Sequence, residues 1–196
     1  MEARSLVMDR KYTYSDYIRW DNDMRWELID GVPYAMSAPS SDHQTISMNL
    51  GTILNIYLKG KECRVFTDPF DVRLNYDKGD NTVVQPDIVV VCDRSKIDKR
   101  GCLGAPDMIV EILSPATSRM DRVTKFNKYM EAGVKEYWVI DPDTHSAQVH
   151  VLKDDSYVTS AYDDTNTVAV SILPGCEINL AEVFLNTSEI SDIIET

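Results

Sequence analysis

The chain has 196 residues, which suits one domain with its own hydrophobic core, so we expect a single domain over residues 1–196. With 43% hydrophobic and 27% charged residues, the composition is that of a globular protein and excludes a disordered one. No apolar run approaches the roughly 20 residues that span a membrane, and the first residues lack the apolar stretch of a secretion signal. We therefore expect a cytoplasmic protein with no membrane partner.

The charge is acidic overall and unevenly distributed. A formal net charge of -12 argues against a protein that binds nucleic acid through its total charge. Almost all of the acidic excess lies from Glu136 onward, whereas residues 94–135 carry more basic than acidic side chains. A nucleic-acid backbone would therefore meet the middle of the chain, and the acidic part would face away or mediate self-association as a homodimer.

The four cysteines do not point to a metal site. Cys63, Cys92, Cys102 and Cys176 form no CxxC pair and have no zinc-ligand spacing. In a cytoplasmic protein such cysteines are expected to be reduced thiols.

The N-terminal part predicts two helices and a hairpin. Thr13 followed by Asp16 is typical of a helix start, and Asp30-Gly31 is typical of a tight bend between strands. Ser41 and Gln44 fit a capping box before a run of apolar residues at helical spacing. The predicted elements are a helix at 14–21, strands at 25–30 and 32–36, and a helix at 42–58.

The middle of the chain predicts central strands. Residues 87–93 and 107–113 are short, almost wholly apolar runs, which is typical of strands covered on both faces. The other predicted elements are a strand at 65–74 bent at Pro69, a helix at 118–132 ended by Gly133, a strand at 135–141, hairpin strands at 147–152, 157–161 and 167–172, and a helix near 180–185. This order predicts an α/β fold, a mixed β-sheet flanked by helices with a C-terminal β-hairpin elaboration. The core is expected over about 12–185, with frayed ends.

Glu111 is the residue that does not suit its predicted setting. It lies inside the apolar run MIVEIL, where burial of an unpaired carboxylate would cost several kcal/mol. Asp87 opens the other apolar run, after Gln85-Pro86. Neighbouring strands would bring both carboxylates to one sheet edge, where a hard cation takes oxygen ligands. The alternative is that Glu111 pairs with an arginine and Asp87 only begins a strand.

An ordered series of motifs resembles a known family. The segments are Trp26-Glu27-Leu28-Ile29-Asp30-Gly31, His43, Pro86-Asp87-Ile88-Val89, Glu111-Ile112-Leu113-Ser114-Pro115, Lys125-Phe126-Asn127-Lys128-Tyr129 and Gly133-Val134-Lys135-Glu136-Tyr137-Trp138. The chain resembles the Uma-type family of bacterial restriction endonucleases, within the PD-(D/E)xK nuclease superfamily, over roughly residues 12–184. The resemblance implies a restriction-endonuclease-like fold and metal-dependent hydrolysis of phosphodiester bonds in nucleic acid, with DNA as the expected partner.

The resemblance also implies a metal site. Glu27, Asp87 and Glu111 match the family's acidic positions and would bind Mg²⁺ or Mn²⁺ as well as take part in catalysis. From the strand pattern alone, Glu27 fits a surface residue equally well. His43 begins the capped helix three residues before an apolar position, so we expect it to point inward. The helix dipole disfavours its charged form, which predicts a neutral catalytic or metal-binding histidine, or a hydrogen-bonded core histidine.

The sequence departs from the motif at Leu113, where the pattern has lysine. The following helix can supply that lysine, and the resemblance makes Lys125 the catalytic candidate. Thr117, Asp121, Lys125 and Tyr129 recur every four residues, which suits one edge of a site or an ordinary exposed flank. Substrate-binding candidates are Arg119, Arg122, Lys128 and Tyr129.

Two functional hypotheses follow from these residues. The first is an active nuclease. The second is a weak or inactive binding or regulatory module on the same scaffold, which the missing lysine at Leu113 and the acidic total both favour.

Overall fold

A computed structural model describes residues 10–20, 24–115 and 117–188. Its elements, in chain order, are α1 (Tyr14–Tyr17), β1 (Trp26–Ile29), β2 (Val32–Ala35), α2 (Ser41–Leu58), β3 (Arg64–Thr67), β4 (Asp71–Arg73), β5 (Val83–Val84), β6 (Ile88–Val91), a 3-10 helix (Arg94–Lys96), β7 (Gly101–Leu103), β8 (Met108–Ile112), a π-helix (Met120–Lys125), α3 (Phe126–Ala132), β9 (Glu136–Asp141), β10 (Ser146–Lys153), β11 (Ser156–Asp163), β12 (Thr167–Ala169), β13 (Glu177–Asn179) and α4 (Leu180–Val183). The frayed ends predicted for the chain termini lie largely outside the described residues.

The larger sheet is mixed, as the sequence predicts. Within the described residues it has six strands in the order β11-β10-β9-β8-β6-β3. Strands β8 and β9 are parallel, while β6 pairs antiparallel with both β3 and β8. The predicted C-terminal hairpin is β10–β11, which extends the sheet beyond β9.

Strands β6, β8 and β9 are covered on both faces, which confirms the expectation from their apolar runs. Helix α2 packs its apolar side against one face through Ile46, Leu50 and Leu54. Tyr129 of α3 packs in the core cluster on the other face, and all four of these side chains are fully buried. Glu111 points to the α3 face, because side chains alternate along a strand and its neighbours Val110 and Ile112 belong to the α2 cluster.

A smaller sheet, which the sequence did not predict, holds the N-terminal hairpin. Over the described ranges its order is β2-β1-β5-β4-β7. Strands β1 and β2 form the predicted hairpin around Asp30 and Gly31, both of which have positive φ. The predicted strand at 65–74 is divided at Asp68-Pro69 into β3 of the larger sheet and β4 of the smaller one. Strands β5 and β7 have two and three residues, too few for a periodicity signal.

Three local predictions were wrong. Helix α1 ends at Tyr17 instead of residue 21. Helix α2 is capped by Ser40, whose Oγ accepts a hydrogen bond from the backbone N–H of His43, so the predicted Ser41–Gln44 box is one residue too late. Cys63 and Cys92, predicted to be reduced, form a disulfide, because they lie opposite each other where β3 and β6 pair.

The helix predicted at 118–132 consists of a π-helical part followed by an α-helical part. Residues 120–125 form a π-helix, and α3 continues to Ala132 and ends at Gly133, which has φ +86° as a helix-terminating glycine requires. A π-helix has more residues per turn than an α-helix, and such turns are frequent at functional sites.

Candidate active site

The ammonium of Lys125 joins two strands of different sheets. Its Nζ lies 2.9 Å from Oε1 of Glu27 on β1 and 2.9 Å from Oε1 of Glu111 on β8. A third carboxylate, Asp121, lies 3.4 Å away at Oδ1. The Lys125 side chain is only 5% exposed, so this contact is buried and its Coulomb attraction is little screened by solvent.

Asp121 and Lys125 both face this point because residues four apart lie on the same face of a helix. Asp121 and Lys125 are both buried, and Tyr129, four residues further along, is buried as well. The predicted four-residue series therefore lines the site instead of forming an exposed flank.

Asp87 and Glu111 lie on adjacent antiparallel strands, as predicted from their apolar runs. The register that pairs Ile88 with Val110 brings Asp87 opposite Glu111 at the end of β6. Oδ2 of Asp87 accepts a hydrogen bond of 2.6 Å from the backbone N–H of Ile112. This contact fixes the Asp87 carboxylate beside the Glu111 strand.

His43 points inward, as predicted, and faces Asp87. Its Nε2 lies 3.2 Å from Oδ1 of Asp87, and its Nδ1 is buried without a hydrogen-bond partner among the described residues. Burial lowers the pKa of His43, but the hydrogen bond and charge of Asp87, with Asp68 and Asp121, outweigh it and raise the pKa overall. The helix dipole alone predicts a neutral histidine, whereas the contact with Asp87 acts in the opposite direction on the pKa of His43.

The carboxylates of the site repel one another. Burial raises the pKa of Glu111 well above its usual value. The charge of Lys125 lowers this pKa, whereas the charges of Asp121, Asp87 and Glu27 raise it further. Burial likewise raises the pKa of Asp121. Tyr129 donates a hydrogen bond of 2.6 Å to Oε1 of Glu111, the same oxygen that Lys125 contacts. The site therefore brings four carboxyl groups, those of Glu27, Asp87, Glu111 and Asp121, around the ammonium of Lys125 and the ring of His43.

These groups line a cavity of about 160 Å³ between the two sheets and the π-helix. In the part of the chain that the structure describes, no three Asp, Glu, His or Cys side chains stand as a ready-made ligand set. The donor chemistry nevertheless fits a divalent cation, because four buried carboxylates share the cavity and Oδ1 of buried Asp121 accepts no hydrogen bond from the described residues. Hard cations such as Mg²⁺ take such oxygen ligands.

The predicted substrate-binding residues fall into different places. Tyr129 is fully buried against Glu111, so it supports the site and has no surface to offer a substrate. Arg122 contacts Asp141 and Gln148 on the hairpin side, and Lys128 contacts Asp30 and Glu131 outside the cavity. Arg119 is exposed near the cavity-lining residues of the same segment. Contact of Arg119, Arg122 and Lys128 with a substrate stays a prediction.

Arg25, Gln85 and Asp121 line the cavity but were absent from the predicted site. Gln85 donates its backbone N–H to Oε1 of Glu27 over 2.9 Å, and its side chain contacts Arg25. Asp121 was noted for its spacing but not proposed as a site residue. No pattern marks Gln85 or Arg25, because they lie at the ends of short strands whose pairing is visible only in the fold.

Comparison with known proteins decides the family. The model of the Uma2 family, described as "Putative restriction endonuclease", matches residues 14–181. The chain belongs to the Uma2 family. Two uncharacterized proteins of Synechocystis sp. (strain ATCC 27184 / PCC 6803 / Kazusa) are also similar, at 31% identity over 121 residues and 25% over 118 residues. These matches cover 61% and 59% of this chain but only 62% and 65% of the relatives, less than two thirds of their length.

A solved structure shows the same fold as this Uma2 member. The crystal structure of a protein from Anabaena variabilis ATCC 29413, described as "a putative nuclease belonging to DUF820", superposes with a TM-score of 0.72 at 21% identity. The match covers 88% of this chain and 97% of that one. The restriction-endonuclease-like α/β fold expected from the sequence is thus confirmed. None of the helices in the described ranges is long and apolar enough to cross a membrane.

Proposed function

We propose that this Uma2 protein is a divalent-metal-dependent nuclease that hydrolyses phosphodiester bonds in DNA. The observation that carries the proposal is the buried contact of Lys125 with Glu27 and Glu111, in a cavity shared with Asp87 and Asp121. Burying a lysine together with several carboxylates carries a desolvation cost, and such clusters in cavities are frequent at functional sites.

Glu27, Asp87 and Glu111 would hold Mg²⁺ or Mn²⁺, and a bound cation would polarise the phosphoryl oxygen and lower the pKa of a water molecule. Other residues of this chain orient the carboxylates. Ile112 orients Asp87, while Tyr129 and Lys125 orient Glu111. Each carboxylate thus has a fixed direction before any ligand enters.

Lys125 acts as an ammonium in this proposal. Burial lowers its pKa, but Glu111, Glu27 and Asp121 raise it well above the usual value. The side chain therefore keeps its proton and serves as a hydrogen-bond donor that orients the attacking water and offsets negative charge on the phosphorane-like transition state. His43 is held against Asp87 and would fix that carboxylate as well.

The position of Lys125 supports an enzyme over an inactive binding module. The second hypothesis rested on Leu113 standing where the motif has lysine, and Lys125 supplies an ammonium to the same carboxylates from the π-helix. The cytoplasmic location and the homodimer remain proposals. The Cys63–Cys92 disulfide is at odds with a reducing compartment, so the location needs its own measurement.

The test is cleavage of supercoiled plasmid DNA with Mg²⁺, with Mn²⁺ and with EDTA. We expect nicked or linear products only with a divalent ion, and none from Asp87→Asn under the same conditions. Cleavage in EDTA, or equal cleavage by Asp87→Asn, would contradict the proposal.

A further inference from the structure

Arg25 is an accessible cation at the cavity that the proposed chemistry does not use. It directly precedes β1 and lines the cavity together with Glu27 and Lys125. Its side chain is 39% exposed, whereas that of Lys125 is 5% exposed. A substrate that approaches the cavity from solvent would therefore reach Arg25 before Lys125.

The guanidinium of Arg25 is held by two acceptors. Its Nη1 lies 2.7 Å from Oδ2 of Asp68, and its Nε and Nη2 donate to Oε1 of Gln85 over 3.1 and 2.8 Å. An arginine has five N–H donors, so these contacts use three of them. Among the described residues, no acceptor contacts the other two N–H groups, so these two donors are available to a ligand.

Gln85 forms hydrogen bonds both with Arg25 and with the carboxylate site. The side-chain amide of Gln85 donates to Asp71 and to the hydroxyl of Tyr17, each over 2.9 Å, which fixes the oxygen that Arg25 contacts. The backbone N–H of the same residue donates to Glu27. Arg25 and Glu27 are thus both held by hydrogen bonds to the same residue, Gln85.

The other basic side chains of the cavity are less exposed than Arg25, at 5% for Lys125 and 10% for His43. Lys125 contacts three carboxylates, and Nε2 of His43 faces Asp87. A phosphodiester that enters a cavity lined with carboxylates is repelled unless a donor at the mouth offsets the charge. The planar fork of a guanidinium suits two oxygens of one phosphate group better than an ammonium does.

We propose that Arg25 is the residue through which the cavity binds a backbone phosphate of its DNA substrate. This inference rests on the proposed nuclease function and adds the contact that positions the strand. Arg25 binds the phosphate, and Asp68 and Gln85 hold the guanidinium in place.

The test measures binding of a short fluorescein-labelled DNA duplex by anisotropy in EDTA, over a series of KCl concentrations. Loss of one phosphate contact lowers the slope of log K against log[salt] by about one. We expect Arg25→Gln to weaken binding about 10-fold and to lower the slope by that amount. Arg25→Lys keeps the charge, so we expect it to keep the slope while it binds more weakly than wild type.

Arg73→Gln is the matched control. Arg73 also forms a carboxylate pair, with Asp80, and lies outside the cavity. Thermal unfolding of each variant shows whether it remains folded. We expect the Arg73 variant to keep both the affinity and the slope of wild type.

The outcomes separate this inference from the proposed function. Metal-dependent plasmid cleavage by wild type, with an unchanged slope in Arg25→Gln, would overturn the phosphate contact alone. A lower slope in Arg25→Gln, with no cleavage by wild type, would support the contact and overturn the nuclease. No measurable duplex binding by wild type, or the same loss in Arg73→Gln, would also overturn the contact.

Discussion

Two glutamates on neighbouring parallel strands are both buried, yet their surroundings differ. Glu111 on β8 is 4% exposed and Glu136 on β9 is 0% exposed. Glu136 accepts hydrogen bonds from the indole of Trp138, the hydroxyl of Ser171 and the backbone N–H of Ile172. These donors are all neutral, and they tie β9 to the loop after β12.

Glu111 instead faces charge of both signs. It contacts the ammonium of Lys125 and the hydroxyl of Tyr129, and Asp121, Asp87 and Glu27 raise its pKa. The difference teaches that burial alone does not mark a functional carboxylate. A satisfied carboxylate such as Glu136 holds the fold together, whereas the proposed function assigns a ligand to a crowded one such as Glu111.

The largest expected difference between the two glutamates is in hydrolysis. We expect Glu111→Gln to lower the rate of plasmid cleavage by about 10³-fold, because a metal ion's stabilisation of the transition state is worth several kcal/mol. Glu136→Gln should leave the rate near that of wild type. Initial rates at saturating substrate check both variants.

Stability should show the opposite order. Glu136→Gln places an amide where three donors need acceptors, which leaves at least one of them unpaired and costs about 1–3 kcal/mol. Glu111→Gln removes one of several repelling carboxylates and should cost less. Urea unfolding in EDTA gives both values, and equal losses would break the comparison.

Substitution of Lys125 tests whether the cation that contacts Glu111 contributes to hydrolysis. Lys125→Met should lower the hydrolysis rate by about 10²–10³-fold, the range for loss of one electrostatic group, while metal binding persists because lysine is not a ligand. Lys135→Ala is a control, since Lys135 also pairs with a carboxylate, Asp107, but outside the cavity. Similar mild losses in both variants would show that Lys125 acts only as part of the protein's general charge.

The smallest expected effect is a pH dependence of stability that arises in the core and not at the carboxylate site. Burial, with the charge of Arg122, lowers the pKa of His150 from 6.5 to about 4. The folded state therefore favours the neutral ring, so its contribution to stability is complete above pH 6.5 and is lost as pH falls from 6.5 towards about 4. We expect His150→Gln to lose less stability than wild type across that window, with and without Mg²⁺. A difference between the two proteins that appears only with Mg²⁺ would contradict this assignment.

The central strands and the carboxylates could be predicted because burial leaves a strong mark on sequence. An apolar run that contains Glu111, and another that begins with Asp87, predicted two adjacent strands with both carboxylates at one edge. The family resemblance then pointed to Lys125, which does contact Glu27 and Glu111. The same apolar pattern surrounds Glu136, so the sequence alone does not distinguish a satisfied carboxylate from a crowded one.

Other features depend on contacts between distant parts of the chain. The π-helix that carries Asp121 and Lys125 has the same residue pattern as an α-helix. The smaller sheet relies on strands of two or three residues, which carry no periodicity. The raised pKa of His43 arises from Asp87, a residue on another element that a helix-based prediction does not include.

The proposed nuclease function depends most directly on whether the carboxylates around Glu111 bind a divalent cation. Calorimetric titration with Mn²⁺ should show one binding event in wild type and in Glu136→Gln, and loss of that event in Glu111→Gln and in Asp87→Asn. Binding should have the same stoichiometry in the first two proteins, since Glu136 lies outside the cavity. Equal Mn²⁺ binding in all four proteins, or no binding by wild type, would contradict the central claim.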